Sequence, residues 1–590
     1  MHWSRRIAEI LLMLALPVLV APAISFAQPV IWAGGNGPWF SASSNWFVIV
    51  GGFPVATAPP NGPGVTANIG TYSGAGPITG TVTLNGSVNL PDGVALGNGA
   101  PGGLIVNSAA YTLTAGTMDV GFSGSGTSTL AISNRGVVTS NFAFIGGLAG
   151  SSGSVSVSGA GSQWNVPTQL YVGDNGQGSL SIQSGGLVSG YTTSIASASG
   201  SAGAVTVSGA GSQLNSTEFV AIGWRGYGTL TVQSGGVSNA DATEIAALSG
   251  AVGNVTVTGA GSQLNSTTET LVGPTGHGTL TIQNGGVVNG GFWTLMGIGS
   301  GAVGNVTVMG AGSQLNSGEF SVGSGSQGTL TIQNGGAGNC NILIVASSSG
   351  AFGTVAVTGA GSELNASDGG VAEVGYGGQG RLTIADGGRV TDASATVGAL
   401  LGSVGNVLVD AGTWTSSGAL DIGIVGTGVV TVADNGHLSA GSMTIGSHGS
   451  LIVDPAVVDV LGDFTLSPGG TLQLDIGGIT PGLFSQLDIS GFGLFQGTID
   501  FDFIDGFAPT TGESFDLIHA VGVDFSDTRF QIEGLEPGFQ YTTAFSNGSF
   551  TLVAENDGVS TPEPGSWWLL ASALSILSVI AWRKNSKGPA

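Results

Sequence analysis

Residues 159–165 read Gly-Ala-Gly-Ser-Gln-Trp-Asn, and the same heptapeptide returns with small changes at 209–215, 259–265, 310–316 and 359–365, then weakly as Ala411-Gly412-Thr413-Trp414. Its second glycine falls at 161, 211, 261, 312, 361 and 412, so the step is 49 to 51 residues. Regularity on that scale marks a repeat architecture, to be read unit by unit.

Each unit splits in two. Leu180-Ser181-Ile182 precedes Gly185-Gly186 as Val205-Thr206-Val207 precedes Gly209 and Gly211, and Ile182, Val207 and Val232 are spaced by 25 residues. Runs such as Leu230-Thr231-Val232 and Val255-Thr256-Val257 alternate apolar residues with Thr, the period-two pattern of a strand with one buried face. Glycines between them allow the positive φ angles of tight corners. Short strands turned by glycine every 25 residues predict an all-β chain: a right-handed parallel β-helix whose coils bury their apolar faces by stacking. Residues 97–450 would supply about 14 coils, a rod of roughly 65 to 70 Å at about 4.8 Å per coil. A β-propeller shares the 50-residue period but leaves the half-repeat unexplained.

Outside the repeat the composition changes. Residues 28–96 hold Trp32, Trp39 and Trp46 in a Gly/Ser/Asn-rich setting and are expected to form an N-terminal β cap, with aromatic packing or sugar stacking as the tryptophans' role. Residues 451–560 hold 16 acids and longer alternating strands such as Thr498-Ile499-Asp500-Phe501-Asp502-Phe503, as expected of an acidic C-terminal β cap domain covering the rod's open edge. Asp500 and Asp502 share a strand face with Asp505 just beyond, leaving weak cation binding or a solvated acidic face as the readings.

The ends read as targeting signals. Residues 1–27 pair Arg5 and Arg6 with an apolar run and small residues up to Ala27, the pattern of a secretory signal peptide cleaved there. Residues 566–582 form an uncharged apolar stretch followed by Arg583, Lys584 and Lys587, as expected of one transmembrane helix with its basic end in the cytoplasm.

Charge narrows the partners. The chain has 10 Lys plus Arg against 34 Asp plus Glu, and five of the ten bases lie in the two end segments. The remaining body has no lysine, and its five arginines oppose 32 acids for a net charge of −27. Nucleic acid is excluded as a partner, because phosphate binding needs clustered bases. Anionic polymers would be repelled unless divalent cations bridge the two. The single cysteine, Cys340, builds no disulfide framework.

Candidate site residues are few. Glu218, Glu269 and Glu319 occupy similar phases of the repeat and are expected to line one face two coils apart, roughly 10 Å, too wide for a retaining pair of carboxylates. No catalytic set, metal-ligand spacing or cofactor motif is assigned. Asn165, Asn215, Asn265, Asn316 and Asn365 recur in register and are expected to satisfy backbone groups at coil corners. The residue before the turn glycine varies as Gln177, Tyr227, His277, Gln327 and Gln379, with Trp224 and Arg225 beside one of them. Variable residues on a constant scaffold make Trp224, Arg225, Tyr227 and His277 a possible ligand stripe.

Pro562-Glu563-Pro564, followed by Gly565-Ser566-Trp567-Trp568-Leu569-Leu570, the apolar segment and Arg583-Lys584, resembles the PEP-CTERM sorting signal of Gram-negative bacteria. The body, with its Gly-x-Gly-Thr-Leu-Thr-Ile-x-x-Gly-Gly units, resembles autotransporter-like β-helix repeats. The resemblance implies recognition of the 561–590 tail by an exosortase-type processing enzyme, transient hold in the inner membrane and delivery to the cell surface or an extracellular polysaccharide matrix. On this reading the expected function is that of a non-enzymatic structural or adhesive surface protein, and the alternative is a polysaccharide-binding protein or lyase using a β-helix groove.

Overall fold

The structure is a computed structural model that describes residues 29–32, 36–40, 46–50, 53–61, 66–73 and 76–560. Two stacks of strands alternate along the chain. One strand of each coil, such as Gln177–Gln183, joins the first stack, and a longer bent one, such as Leu187–Ile195, joins the second. The bend divides the longer strand into halves that pair separately with the coils above and below. In some coils it breaks into two strands, as in Gln213–Ser216 and Phe219–Ile222. Each coil therefore has three sides, and the chain is an all-β parallel solenoid.

Register follows from the alternating sequence. Val157 pairs with Ile182, Ile182 with Val207, Val207 with Val232 and Val232 with Val257, and all five are buried. A one-residue slip would turn this apolar column outward, so each coil dictates the register of the next. Thr231 and Thr256 occupy the partly exposed positions between inward residues.

Glycine is required where the bent strand hands over to the next short one. A Cβ on Gly228 would lie 2.1 Å from the Gly223 nitrogen, and Gly223 has φ +70°. The corner closes only with hydrogen at Gly228 and a residue tolerant of left-handed backbone at Gly223.

Parallel pairing extends on both sides of 97–450. Gly80–Thr83 pairs in parallel with Gly102–Val106, and the same stack continues to Arg529–Glu533. Eighteen successive pairings separate those two strands, a length of roughly 85 Å at about 4.8 Å per step. The boundaries at 96/97 and 450/451 thus mark changes of composition, not of pairing. The residues after 450 keep apolar columns such as Leu451, Leu472 and Ile499.

Antiparallel strands occur at the two ends. Pro29–Trp32 pairs with Trp46–Val50, and Trp46–Val50 with Phe53–Ala56. Trp32, Trp39 and Trp46 are fully buried, with ring centroids 5.0 and 5.1 Å from the central Trp46, so they pack on one another and offer no stacking face to sugar. At the far end Ser514–Asp524, Ser549–Ala554 and Tyr541–Ser546 form an antiparallel sheet over Phe501, Phe525, Phe530 and Phe550. These end strands turn pairing away from the open edges.

No helix of the described residues is long and apolar enough to cross a membrane. The signal segment 1–27 with Ala27, and the tail with Pro562, Glu563, Pro564, Trp567, Arg583 and Lys584, lie outside the described residues.

Candidate ligand groove

The recurring asparagines stand on the first half of the bent strands, pointing outward between two buried neighbours, as Asn215 does between Leu214 and Ser216. In-register parallel pairing sets each above the next, and their amides bond to one another rather than to backbone. Asn239 Nδ2 donates to Asn215 Oδ1 at 2.7 Å, Asn265 to Asn239 at 2.9 Å and Asn289 to Asn265 at 2.8 Å. Asn316 donates to Asn289 at 3.0 Å, Asn339 to Asn316 at 2.8 Å and Asn365 to Asn339 at 3.1 Å. Thr391 extends the ladder with a hydroxyl donor to Asn365, and Ser189 donates to Asn165 in a separate rung. The corner role expected from the sequence is therefore replaced by a side-chain ladder along the axis. Sequence reasoning found its alternate rungs and missed Asn239, Asn289 and Asn339, which lie outside the heptapeptide.

An amide carries two N–H donors and two acceptor lone pairs, and a ladder consumes one of each. Gln213 and Gln263 accept from the Asn215 and Asn265 amides within their own strands. Among the described residues no such partner is present for Asn289, Asn316 and Asn339. Those three, with Asn365, wall an open groove of about 510 Å³. The groove exists because the bent strand breaks in these coils, and small residues such as Gly291, Ser317 and Gly318 occupy the bend. Cys340 lies in the same lining but is buried, and burial pushes its thiol up to about 12, so it is held as the neutral thiol.

The other half of the bent strands begins beside the groove. Its outward column runs Phe219, Ala242, Glu269, Trp293, Glu319 and Ile342 through successive pairings. Phe292 is 62% exposed and leans on Trp293 with ring centroids 5.8 Å apart. Trp224 folds from the following turn to stack on Phe219 at 5.9 Å. Burial, then the charge of Glu373, raises the Glu319 carboxyl; burial, then Asp241, raises that of Glu269. Glu244 is raised to about 7 by burial and by Glu269. Glu244 Oε2 and Glu319 Oε1 are buried without a hydrogen-bond partner.

The three glutamates expected on one face are divided. Glu269 and Glu319 share a column with Trp293 between them. Glu218 stands one position ahead of Phe219, exposed, beside Tyr191. The bend of the Asn316 coil holds one residue fewer than that of the Asn215 coil, so equal counting from the asparagine gives different columns.

The expected ligand stripe is likewise divided. Tyr227, Val252 and His277 follow one another at the start of the short strands, and Tyr227 is 52% exposed. Trp224 belongs instead to the Phe219 stack, and Arg225 is exposed in the turn between them.

In the acidic segment Asp502 pairs with Asp475 and Asp500 with Gln473. Burial raises Asp475 to about 7 and Asp500 to about 6, and Gln473 Nε2 donates to Asp475 at 2.9 Å. Among the described residues no three His, Cys, Asp or Glu side chains are placed to hold a metal ion.

No family model matches the chain, and no curated protein does. Among solved structures, a hyper-glycosylated TibA fragment, its glycosylation catalysed by TibC, is similar over 67% of this chain and 99% of its own, at 16% identity and a TM-score of 0.33.

Proposed function

We propose that this chain is a non-enzymatic structural or adhesive protein of the cell surface or extracellular matrix of a Gram-negative bacterium. The observation that carries the reading is the unbroken parallel stack from Gly80–Thr83 to Arg529–Glu533, a rod whose length grows with coil number and whose ends carry antiparallel strands. Right-handed winding in coils of about 25 residues fits the strong preference of parallel crossovers for that hand. The signal peptide ending at Ala27 exports the body. The tail of Pro562-Glu563-Pro564, a transmembrane helix over 566–582 and Arg583-Lys584 holds it briefly in the inner membrane for an exosortase-type enzyme, which removes Trp567 onward.

Epitope tags before Thr561 and after Ala590, followed in the native host, test this. The expected result is loss of the C-terminal tag while the other becomes accessible to protease on intact cells. One full-length, membrane-bound chain retaining both tags at steady state would overturn the sorting reading, and a body sealed inside the cell would overturn the surface reading. The groove beside the asparagine ladder favours binding of an extracellular polysaccharide as the adhesive function.

A further inference from the structure

We infer that the groove between the asparagine ladder and the Trp293 column is a binding site for a neutral, hydroxyl-rich polysaccharide lying along the solenoid axis. The inference rests on the adhesive reading above and names its ligand class. Three features converge on it.

The first is the wall of amides. Asn289, Asn316 and Asn339 each keep an N–H outside the ladder, and they stand one coil apart, so the groove presents evenly spaced donors and acceptors. The ladder bonds fix each amide's orientation before a ligand arrives, which lowers the entropy lost on binding. A polymer with hydroxyls at regular intervals meets such a row repeatedly, and weak contacts then sum.

The second is the opposite rim. Phe292 is exposed beside Trp293, and an apolar ring edge next to amides suits the C–H faces of a sugar. Phe292 follows the groove residue Gly291, and its carbonyl oxygen lies 2.8 Å from the Cβ position of the groove residue Gly318, so its exposed ring stands at the edge of the groove.

The third is charge. Glu269 and Glu319 stand in the Trp293 column, the Glu373 charge reaches Glu319, the body carries 32 acids against five arginines, and no lysine is present between residues 28 and 561. An anionic polymer would have to approach these carboxylates without a cation to meet it, whereas a neutral one brings only hydroxyls. A peptide strand is disfavoured as occupant, since the backbone groups of the coils lining the groove are already paired above and below.

The test is isothermal titration of the full chain, purified in detergent, with maltohexaose, cellohexaose, mannohexaose and xylohexaose, and with hexagalacturonate as the anionic probe. At least one neutral hexasaccharide should bind and hexagalacturonate should not, with or without calcium. Phe292→Ala and Trp293→Ala should each weaken that binding at least tenfold, and Asn316→Ala likewise. Tyr227→Ala, on another side of the coil, should leave it unchanged. A cooperative urea transition shows that a variant is folded; should Asn316→Ala unfold the chain, the Phe292 and Trp293 variants still decide. Failure of all four neutral probes, unweakened binding by Phe292→Ala and Trp293→Ala, or tighter binding of hexagalacturonate would overturn the inference. Protease accessibility of the body on intact cells reads the surface proposal independently, so a surface-exposed chain that binds no sugar sinks only the groove.

Discussion

Asn289 Nδ2 donates to Asn265 Oδ1 at 2.8 Å, and Asn289 Oδ1 in turn accepts from Asn316 Nδ2 at 3.0 Å. Each such residue is thus a two-sided link between three coils, and its loss breaks two bonds at once. The ladder lies in partly buried surroundings, where a net hydrogen bond contributes about 0.5–1.5 kcal/mol.

Asn289→Ala is therefore expected to destabilise by about 1–3 kcal/mol, against about half of that for Asn165→Ala, whose side-chain bond is the one from the Ser189 hydroxyl. Urea unfolding at fixed pH measures both. Equal midpoints for Asn289→Ala and the unmodified chain would mean that water replaces the ladder at no cost.

Inward and outward positions give a sharper contrast. Val257 is fully buried between Val232 and Ile282, whereas Thr256 is only partly buried on the outer face. Val257→Asp places an unpaired charge in the core and should destabilise by at least about 3 kcal/mol. Thr256→Asp should stay within about 1 kcal/mol. Matching losses of thermal midpoint would contradict the assignment of faces.

What could be read from the chain follows from how the coil is built. Alternation in Leu230-Thr231-Val232 exposes the short strands and their register, because a period of two survives in any coil. The heptapeptide returns every second coil, so it marks Asn265 and Asn316 while the rung between them, Asn289, sits in Val-Val-Asn-Gly. The bend was not legible. It takes up a variable number of residues, as the register shifts between Val166 and Gln169 and between Ala240 and Ala242 record. Glu218 and Glu319 both stand three residues after an asparagine, and only Glu319 shares the column of Glu269 and Trp293. A groove formed by missing bend residues leaves no motif, only a shortened spacing.

Two glycines separate the contributions of space and backbone angle. A Cβ on Gly228 meets the Gly223 nitrogen at 2.1 Å, while Gly250 has φ +79° and nothing within 4 Å of its Cβ position. Gly250→Ala should cost only the left-handed strain, about 1–2 kcal/mol, and Gly250→Asn less. Gly228→Ala must move backbone against backbone and should cost clearly more. Thermal unfolding of the variants would decide, and a Gly228→Ala as stable as Gly250→Ala would mean that the corner yields.

Stability should also depend on pH in an unusual direction. Asp119 is 3% exposed, its Oδ2 is buried without a partner, and burial followed by the charge of Asp174 raises it to about 7. Asp174 itself is raised to about 6, again mainly by burial. A carboxyl whose folded pKa lies above its unfolded value near 4 binds its proton more tightly in the folded chain. Its contribution is fully present below pH 4 and falls away as pH rises through 4 to 7; above 7 it stays lost. The thermal midpoint is therefore expected to fall between pH 5 and pH 7.5, where many proteins hold theirs nearly constant. Asp119→Asn removes the charge and keeps the shape, so it should raise the midpoint at pH 8, leave it nearly unchanged at pH 4, and flatten the slope between. A variant whose midpoint tracks the unmodified chain at both pH values would show that Asp119 ionises in the folded state without penalty.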